Sequence, residues 1–415
     1  MILAQGFQCF VLDLDGVVWT GSDPIPGSPD TIRALRDAGR RFAFVTNNSS
    51  EPASTFAAKL ASMGAGGDAS EVVTSAMATR RLLEAKIPPT PGRTGFVIGG
   101  PGLVEAVREA GFTTVEGEAA AVASLVVVGI DVALTYDKLR LATLAIRRGA
   151  AFVAANLDAT LPSEDGQRPG AGAIVAALRT ATGVEPLVAG KPEPYILQIA
   201  REKLDGGPAL VVGDRISTDI VAAKALGWPS ALVLSGATTL AELAAATVWP
   251  DAILRRLSDL LVDLPHPRVR PAAGPDLPVV ATLLHDGGLQ AGDVRERSGR
   301  TAVAENGRDT LIATAAWDPA GEHAALVRSV AVAPAYRRKA AGTLAVAGAL
   351  RMAARSGRRE AYLATVDAEG FFARCGFTTI ERGDIPDEVL AHPQMSRECP
   401  STAALMRLRI PATST

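Results

Sequence analysis

Two carboxylates, Asp13 and Asp15, stand one residue apart at the end of the apolar run 10–12. Side chains alternate along a strand, so both carboxylates project to the same side where such a strand ends. Adjacent carboxylates repel each other, and beside a core they are costly unless a cation or protons offset them. The pair suits a hard metal ion combined with covalent and acid–base catalysis. An acidic loop after a strand is the alternative, because Asp-x-Asp alone is a weak signal.

The elements around this pair predict a parallel sheet. Gly16 follows the carboxylates and can form a tight turn that brings its N–H close to a ligand. Residues 30–38 predict a helix that Ser28 caps, and residues 41–45 predict a strand that ends in Thr46, Asn47 and Asn48. Strand–helix alternation implies right-handed parallel crossovers, with functional groups beyond the carboxyl ends of the strands.

Further polar groups follow later strands of the same pattern. Lys191 stands in Gly-Lys-Pro, and the apolar strand 209–212 is followed by Asp214 and Asp219. Each has an ordinary explanation: a surface lysine, a turn aspartate, and an acid favoured by a helix N-terminus. Thr46 and Asn47 are equally compatible with simple capping of a strand end. Their occurrence together at four strand ends favours one shared site.

The residues between these strand ends form a different module. From about residue 72 to 184 strands and helices still alternate, but none of the strands ends in a comparable carboxylate pair. This segment predicts an inserted α/β module. The predicted domains are a first core segment, an inserted cap, a second core segment, a Pro-rich linker and a C-terminal domain, at residues 1–74, 75–185, 186–263, 264–270 and 271–415.

Composition narrows the function classes. The 415 residues are 48% hydrophobic, enough to fill two or three domains, and the formal net charge is −2. That balance argues against binding nucleic acid or a membrane surface. The three cysteines lack metal-site spacing and suggest a reducing compartment. Without a leader or a long apolar run, a cytoplasmic protein is expected.

The ordered set of strand-end motifs resembles the haloacid dehalogenase (HAD) superfamily of phosphatases. The motifs are Asp-Leu-Asp-Gly-Val-Val, Val-Thr-Asn-Asn-Ser, Gly-Lys-Pro and Gly-Asp-Arg-Ile-Ser-Thr-Asp-Ile, in the family's order. The resemblance covers roughly the first 260 residues, and the motifs are specific together although each is weak alone. It implies a Rossmann-like α/β core, and the long insert looks like the α/β cap of the type IIA group.

The resemblance implies a role for each of these residues. Asp13 would be the nucleophile that forms an aspartyl-phosphate, and Asp15 would protonate the leaving group and then activate water. Asp13, the Asp15 backbone carbonyl and Asp214 would hold Mg²⁺, which prefers oxygen ligands. Asp219 would orient Lys191 or a metal-bound water. The phosphoryl oxygens would be held by Lys191, Thr46, Asn47, Asn48 and the backbone near Gly16.

The cap must select the substrate, because the core recognises only phosphate. Asn156, Asp158 and Leu161 follow a predicted cap strand and are expected to face the pocket, although a purely structural turn is an equal alternative. The resemblance favours a small polar phosphate ester similar to glycerol 3-phosphate or 2-phosphoglycolate. The sequence does not specify the oligomeric state; a homodimer is one candidate.

The C-terminal residues resemble the GNAT N-acetyltransferase fold, an α+β domain. Residues 326–334 look like its central strand, and residues 336–342 look like its pyrophosphate loop. Acetyl-CoA would then contact Val330, Val332, Arg337, Arg338 and Gly342. Ala340 replaces a usual loop glycine, and its Cβ disfavours left-handed backbone angles. A regulatory or structural domain is therefore favoured over a second, N-acetyltransferase activity. A metabolite sensor without catalysis is disfavoured by the complete acidic set.

Overall fold

The chain divides into two compact units. A computed structural model describes residues 2–90, 92–163, 166–205, 209–262, 268–306, 310–398 and 402–412. The first unit comprises Ala4–Gly236 and Arg256–Leu261, and the second comprises Met1–Leu3, Ala237–Arg255 and Val262–Thr415. Residues 237–255, which the sequence places in the core, therefore group with the C-terminal unit. Most of the predicted linker, residues 264–267, lies outside the described residues.

The first unit begins with alternating strands and helices. These are β1 Cys9–Asp13, β2 Trp19–Thr20, β3 Asp23–Pro24, α1 Ser28–Asp37, β4 Arg41–Thr46, α2 Ala53–Ser62, β5 Val72–Thr74 and α3 Ser75–Lys86. Helix α1 starts earlier than the sequence predicts, because Gly27 occupies the N-cap position in a left-handed conformation. The Ser28 hydroxyl instead donates to the Val17 carbonyl at 2.9 Å.

An inserted module follows within the same unit. Its elements are β6 Thr94–Ile98, α4 Pro101–Glu109, β7 Thr113–Thr114, β8 Leu125–Val128, α5 Tyr136–Arg147, β9 Ala151–Ala154, β10 Thr160–Ser163, β11 Gly166–Pro169, α6 Ala171–Thr182 and β12 Leu187–Val188. The parallel cap sheet has the order β12-β9-β8-β6-β7, and β10 and β11 form a separate antiparallel hairpin. The sequence predicted the three longer cap strands but not this hairpin.

The chain then returns to the core. The remaining elements are α7 Tyr195–Lys203, β13 Ala209–Gly213, α8 Val221–Ala225 and β14 Ser230–Val233. The core sheet contains the parallel order β14-β13-β1-β4-β5, in which Val11 of β1 lies opposite Val211 and Ala43. Strand β1 is central and fully buried. Between β13 and α8 the chain forms a π-helical turn, Ile216–Ile220.

The second unit is built on a mostly antiparallel sheet. Its elements are α9 Leu240–Ala245, β15 Ala252–Leu254, β16 Arg268–Pro271, α10 Leu277–Asp286, β17 Thr301–Glu305, β18 Leu311–Ala320, β19 Ala324–Val332, α11 Ala341–Arg355, β20 Glu360–Thr365, α12 Glu369–Arg374, β21 Thr378–Thr379, α13 Asp387–Leu390 and β22 Ala404–Arg409. The sheet order is β16-β17-β18-β19-β20-β22-β21, with β19 and β20 parallel. Helix α11 packs on β17, β18 and β19 and also contacts α9.

These two units confirm the predicted fold class. A Rossmann-like parallel core carries an α/β cap, and a separate sheet-rich α+β unit follows. Within the described ranges, no helix combines the length and apolar character that a bilayer crossing demands.

Candidate active site

The centre of the site is a buried lysine between two carboxylates. Asp13 is the last residue of β1, and the Lys191 Nζ donates to its Oδ1 at 2.8 Å. The same ammonium donates to Asp219 Oδ1 at 2.6 Å. Lys191 is only 2% exposed, so both ion pairs are shielded from solvent. The geometry therefore fixes the lysine directly beside Asp13.

Burial and neighbouring charges shift the pKa values of Asp13 and Lys191. Burial raises the pKa of Asp13 well above its ordinary value; Lys191 opposes this effect, while Asp219 and Asp214 add to it. Burial alone would lower the pKa of Lys191, but the charges of Asp13 and Asp219 outweigh it and raise the pKa. Lys191 is consequently a permanent cation, and the cluster has excess negative charge that a further cation would offset.

Glycines make room for the acidic cluster. A Cβ on Gly16 or Gly236 would overlap the carboxylate of Asp214, and a Cβ on Gly213 would overlap Asp219. Gly16 also has φ of +78°, which a side chain disfavours. At these three positions the backbone lies closer to the carboxylates of Asp214 and Asp219 than a residue with a Cβ would allow.

The donor set fits a magnesium ion. One carboxylate oxygen from each of Asp13, Asp214 and Asp219 lies within 4.8 Å of the others. Asp13 and Asp214 line the cavity, whereas Asp219 accepts hydrogen bonds from Lys191 and from the Arg215 N–H, the latter at 3.0 Å. Hard carboxylate oxygens that carry excess negative charge are the ligands Mg²⁺ prefers. Asp13 and Asp214 are therefore placed to hold the ion, and Asp219 contacts the lysine.

Asp15 is held by two residues that the sequence did not single out. The Trp19 indole Nε1–H donates to Asp15 Oδ1 at 3.0 Å. The Lys59 ammonium lies 4.1 Å from the centre of the Trp19 ring and donates to the Gly21 carbonyl at 2.7 Å. Burial raises the pKa of Asp15, while the Lys59 charge and the Trp19 hydrogen bond lower it. The Trp19 indole orients this carboxylate.

Replacing Trp19 with phenylalanine removes the indole donor but keeps the aromatic ring. We expect kcat on propyl phosphate to fall about tenfold with little change in KM, because a misaligned acid gives less of the usual proton-transfer advantage. The loss on p-nitrophenyl phosphate is less than about threefold, since this leaving group needs little protonation. Steady-state kinetics on both substrates measure the difference.

The matched control for that substitution is Trp228→Phe, at a buried tryptophan of the first unit that packs in the hydrophobic core. It is expected to leave the ratio between the two substrates unchanged. An equal loss on both substrates in Trp19→Phe would refute the positioning role.

The polar residues after β4 connect the core to the cap. The Asn47 Nδ2 donates to Asp158 Oδ2 and to the Lys191 carbonyl, each at 3.1 Å, and its Oδ1 accepts from the Lys191 N–H at 2.8 Å. The Asn156 side chain donates to the Asn47 carbonyl at 2.6 Å. Thr46 Oγ1 accepts from the backbone N–H of Asn48 at 3.0 Å. The Asn47 side chain therefore fixes Lys191 and the cap loop.

The predicted residues surround one small cavity of about 50 Å³. Its lining includes the predicted residues Asp13, Asp15, Thr46, Asn47, Asn48, Asn156, Asp158, Leu161, Lys191 and Asp214. Gly16 and Asp219 lie directly behind this lining, against Asp214 and Lys191. Sequence reasoning missed Arg215 and Thr218, although both stand in a motif it quoted, and also missed Ile130 and Thr160 of the cap.

The predicted acetyl-CoA residues cluster in the second unit. Gly342 lies against Val332, because a Cβ there would come within 2.9 Å of the valine Cγ2. The Arg337 Nε donates to the Val332 carbonyl at 3.4 Å. Arg338 and Ala340 both have φ of +62°, so Ala340 adopts the left-handed conformation that its Cβ was expected to disfavour. Val330 is half-buried on the same strand.

A buried carboxylate beside a lysine, a set of hard oxygen donors and a small polar cavity are features that suit cleavage of phosphate esters. The comparisons with known proteins agree. Residues 10–113 match the haloacid dehalogenase-like hydrolase model, and residues 188–260 match the HAD-hydrolase-like model. Residues 269–377 match the GNAT acetyltransferase family.

Individual relatives extend this agreement. The chain is 36% identical over 262 residues to the acid sugar phosphatase of Staphylococcus saprophyticus, covering 63% of this chain and 99% of that one. It is 42% identical over 237 residues to D-glycerol 3-phosphate phosphatase of Mycobacterium tuberculosis, covering 56% of this chain but 65% of the relative. A crystal structure of glycerol phosphate phosphatase from Mycobacterium tuberculosis with magnesium aligns at 31% identity and TM-score 0.66, covering 91% and 98% of the two chains.

The chain therefore belongs to the haloacid dehalogenase-like hydrolase family. Its class is that of the phosphoric monoester hydrolases, and a GNAT acetyltransferase domain follows the phosphatase core.

Proposed function

We propose that this protein is a magnesium-dependent phosphatase of small phosphate monoesters that acts through an aspartyl-phosphate. The observation that carries the proposal is the contact between Asp13 and the buried ammonium of Lys191, with Asp214 close enough to share a metal ion. A carboxylate in this position can attack phosphorus while the lysine offsets the charge of the phosphoryl oxygens.

The chain's own residues supply both halves of the reaction. An Asp13 oxygen forms a bond to phosphorus as the bond to the leaving oxygen breaks, and the Asp15 carboxyl gives that oxygen its proton. Asp15 then takes a proton from water, whose oxygen attacks phosphorus and releases Asp13. Burial raises the pKa of Asp15 above its ordinary value, which favours the protonated carboxyl that the first step requires.

The proposed magnesium ion would be held by Asp13, Asp214 and the Asp15 carbonyl. When bound, it supplies positive charge that offsets the carboxylates and the phosphate dianion. Lys191 and Asp219 keep their positions independently of it, because their mutual contact is within the protein.

The cap favours a small substrate with hydroxyl groups. The cavity is small and is lined mainly by polar side chains, which favours a small polar ester over a bulky aromatic one. Asp158 lines it as a half-buried carboxylate, held by the Asn47 side chain and by its own N–H, which donates to Asn156 Oδ1 at 3.0 Å. A fixed carboxylate accepts hydrogen bonds from a substrate hydroxyl. We therefore propose glycerol 3-phosphate or a similar polar ester as the substrate.

Asp158→Asn tests this role of the cap. We expect kcat/KM for glycerol 3-phosphate to fall about 10- to 100-fold, because a site built to bind a hydroxyl loses its charged acceptor. Propyl phosphate, which lacks the extra hydroxyls, is expected to change less than about threefold. Equal losses on both esters would show that Asp158 only shapes the cap.

The experiment that tests the proposed function is phosphate release across a substrate panel. The panel holds glycerol 3-phosphate, 2-phosphoglycolate, pyridoxal phosphate and p-nitrophenyl phosphate, each with Mg²⁺ and with EDTA. We expect release with Mg²⁺, highest for the small polar esters, and its loss with EDTA. Undiminished release in EDTA would contradict the metal dependence, and a preference for the aromatic esters would contradict the substrate class.

A second activity, acetyl transfer, has one specific observation in its favour. Arg338 and Ala340 adopt left-handed backbone angles directly before helix α11, and turns of this kind can form an anion-binding set of N–H groups. We propose that this loop binds acetyl-CoA without implying catalysis. Isothermal titration with acetyl-CoA is the test, and the absence of binding at about 1 mM ligand would exclude the second activity.

Two further expectations remain proposals. A homodimer would be recognised by light scattering of the full chain, and a cytoplasmic location by fractionation of cells that express it. A monomer at all concentrations, or recovery with the membrane fraction, would contradict them.

A further inference from the structure

A second cavity lies in the C-terminal unit, away from the acidic cluster. It measures about 190 Å³, and Arg270, Arg351 and Arg355 contribute to its lining. Trp249, Met352 and Val269 supply apolar surface to it. Among the described residues that line this cavity none is acidic, so its lining combines arginine side chains with apolar ones.

The arginines of this cavity are held in place by different contacts. The Arg270 guanidinium is fixed by Asp276 at 2.6 Å and by Glu305 at 2.9 Å. The Arg351 guanidinium carbon lies 4.2 Å from the centre of the Trp249 ring, and the Trp249 Nε1–H donates to the Leu243 carbonyl at 2.8 Å. The tryptophan is thereby anchored; Arg351 stacks on one face of its ring, and the indole also contributes to the cavity lining.

Arg351 and Arg355 carry charge that the protein does not neutralise. Within the described ranges neither makes an ion pair, and the Arg351 Nε is buried without a hydrogen-bond partner. Burial and, secondarily, the Arg355 charge lower the pKa of Arg351 to about 10. Arg351 is half-buried and Arg355 is exposed, so a buried Arg351 Nε without a partner and two uncompensated positive charges face an anion that enters the cavity.

We propose that this cavity binds a small organic anion with a phosphate, phosphonate or carboxylate head and a flat apolar body. A guanidinium pairs with such heads in a bidentate geometry, and Arg351 and Arg355 are both available to the head. The flat body would pack on Trp249, Met352 and Val269. The cavity has the volume of about six water molecules, which is enough for one small ligand. This site is independent of the proposed phosphatase chemistry.

The test is a tryptophan fluorescence titration of the full chain in EDTA. Phenylphosphonate and benzoate are the probes, benzyl alcohol is the neutral control, and inorganic phosphate tests the head alone. We expect saturable quenching by the two aryl anions with midpoints below about 1 mM, and at least about tenfold weaker binding of inorganic phosphate. Benzyl alcohol is expected to give no saturable change.

Two variants assign the signal to this cavity. Trp249→Phe is expected to abolish the quenching, and Arg351→Met to weaken binding at least about tenfold. Arg355→Met, at an exposed position that tolerates substitution, is expected to weaken binding by about threefold or more if Arg351→Met does not fold. A wild-type circular dichroism spectrum and thermal unfolding midpoint verify the fold of each variant.

Three results would overturn the proposal. The first is the absence of saturable quenching by both aryl anions up to about 10 mM in the wild-type protein. The second is quenching that persists in Trp249→Phe and in the arginine variant, which would assign binding to the phosphatase site. The third is equal binding of inorganic phosphate and phenylphosphonate, which would exclude a role for the apolar wall.

Discussion

Asp13→Asn is expected to lower phosphate release by at least about 10⁴-fold on every substrate, because an amide oxygen cannot serve as the nucleophile. The substitution is nearly isosteric. It also removes one of three clustered carboxylates, whose repulsion the buried site must otherwise offset. A thermal unfolding midpoint equal to or above that of the wild type is therefore expected. Phosphate release and thermal unfolding, measured on the same preparation, separate chemistry from folding.

The result that would contradict this expectation is turnover of Asp13→Asn within about tenfold of the wild type. Asp37→Asn, at an exposed position at the end of α1, is the matched control for the same chemical change. It is expected to leave activity and unfolding unchanged.

Lys191→Met is expected to damage both stability and activity. The ammonium contacts Asp13 and Asp219 and is itself almost fully buried, and its removal leaves two buried carboxylates without their cation. Breaking a buried ion pair from one side costs about 3–5 kcal/mol of unfolding free energy. The loss of the cation beside the phosphoryl oxygens is expected to cost about 10³-fold in kcat. Urea unfolding in EDTA and phosphate release in Mg²⁺ measure the two effects.

A double variant distinguishes the electrostatic cause from simple loss of packing. Lys191→Met with Asp219→Asn removes one of the stranded charges, so it should recover part of the stability but not the activity. Lys86→Met, at the exposed end of α3, is expected to change stability by less than about 0.5 kcal/mol. Wild-type stability in Lys191→Met would contradict the buried ion-pair network.

The sequence predicted the strand ends of the core because two simple rules act together there. Apolar runs identify buried strands, and a parallel sheet brings their carboxyl ends to one edge. Asp13 and Thr46 are the last residues of β1 and β4, Asp214 directly follows β13, and these three strands are adjacent in the sheet. These residues could therefore be placed at one site without knowing how distant side chains pack.

Contacts that depend on side-chain direction were not predictable in this way. The hydrogen bond from Trp19 to Asp15 follows from a turn geometry that the apolar pattern does not encode. Asn47 was expected to bind phosphate, whereas its side chain is engaged by Lys191 and Asp158, residues more than a hundred positions away. The role of Asn47 in binding phosphate therefore stays a prediction that its side-chain amide alone does not support.

In the C-terminal unit, the packing of a helix outweighs the backbone preference of a single residue, Ala340. Ala340 was expected to resist left-handed angles, yet it adopts them at the start of α11, whose face is packed against the sheet. Burial of a long helix can offset the cost of about 1–2 kcal/mol for one left-handed residue.

The central claim is that Asp13 carries the phosphoryl group, and acid quenching during turnover followed by borohydride reduction tests it most directly. Borohydride reduces an acyl phosphate to an alcohol, so a phosphorylated aspartate becomes homoserine while free carboxylates are unchanged. Peptide mass spectrometry is predicted to find homoserine at position 13 in the wild type turning over glycerol 3-phosphate. Unmodified aspartate at position 13 during rapid turnover, or homoserine at another aspartate, would contradict the proposed mechanism.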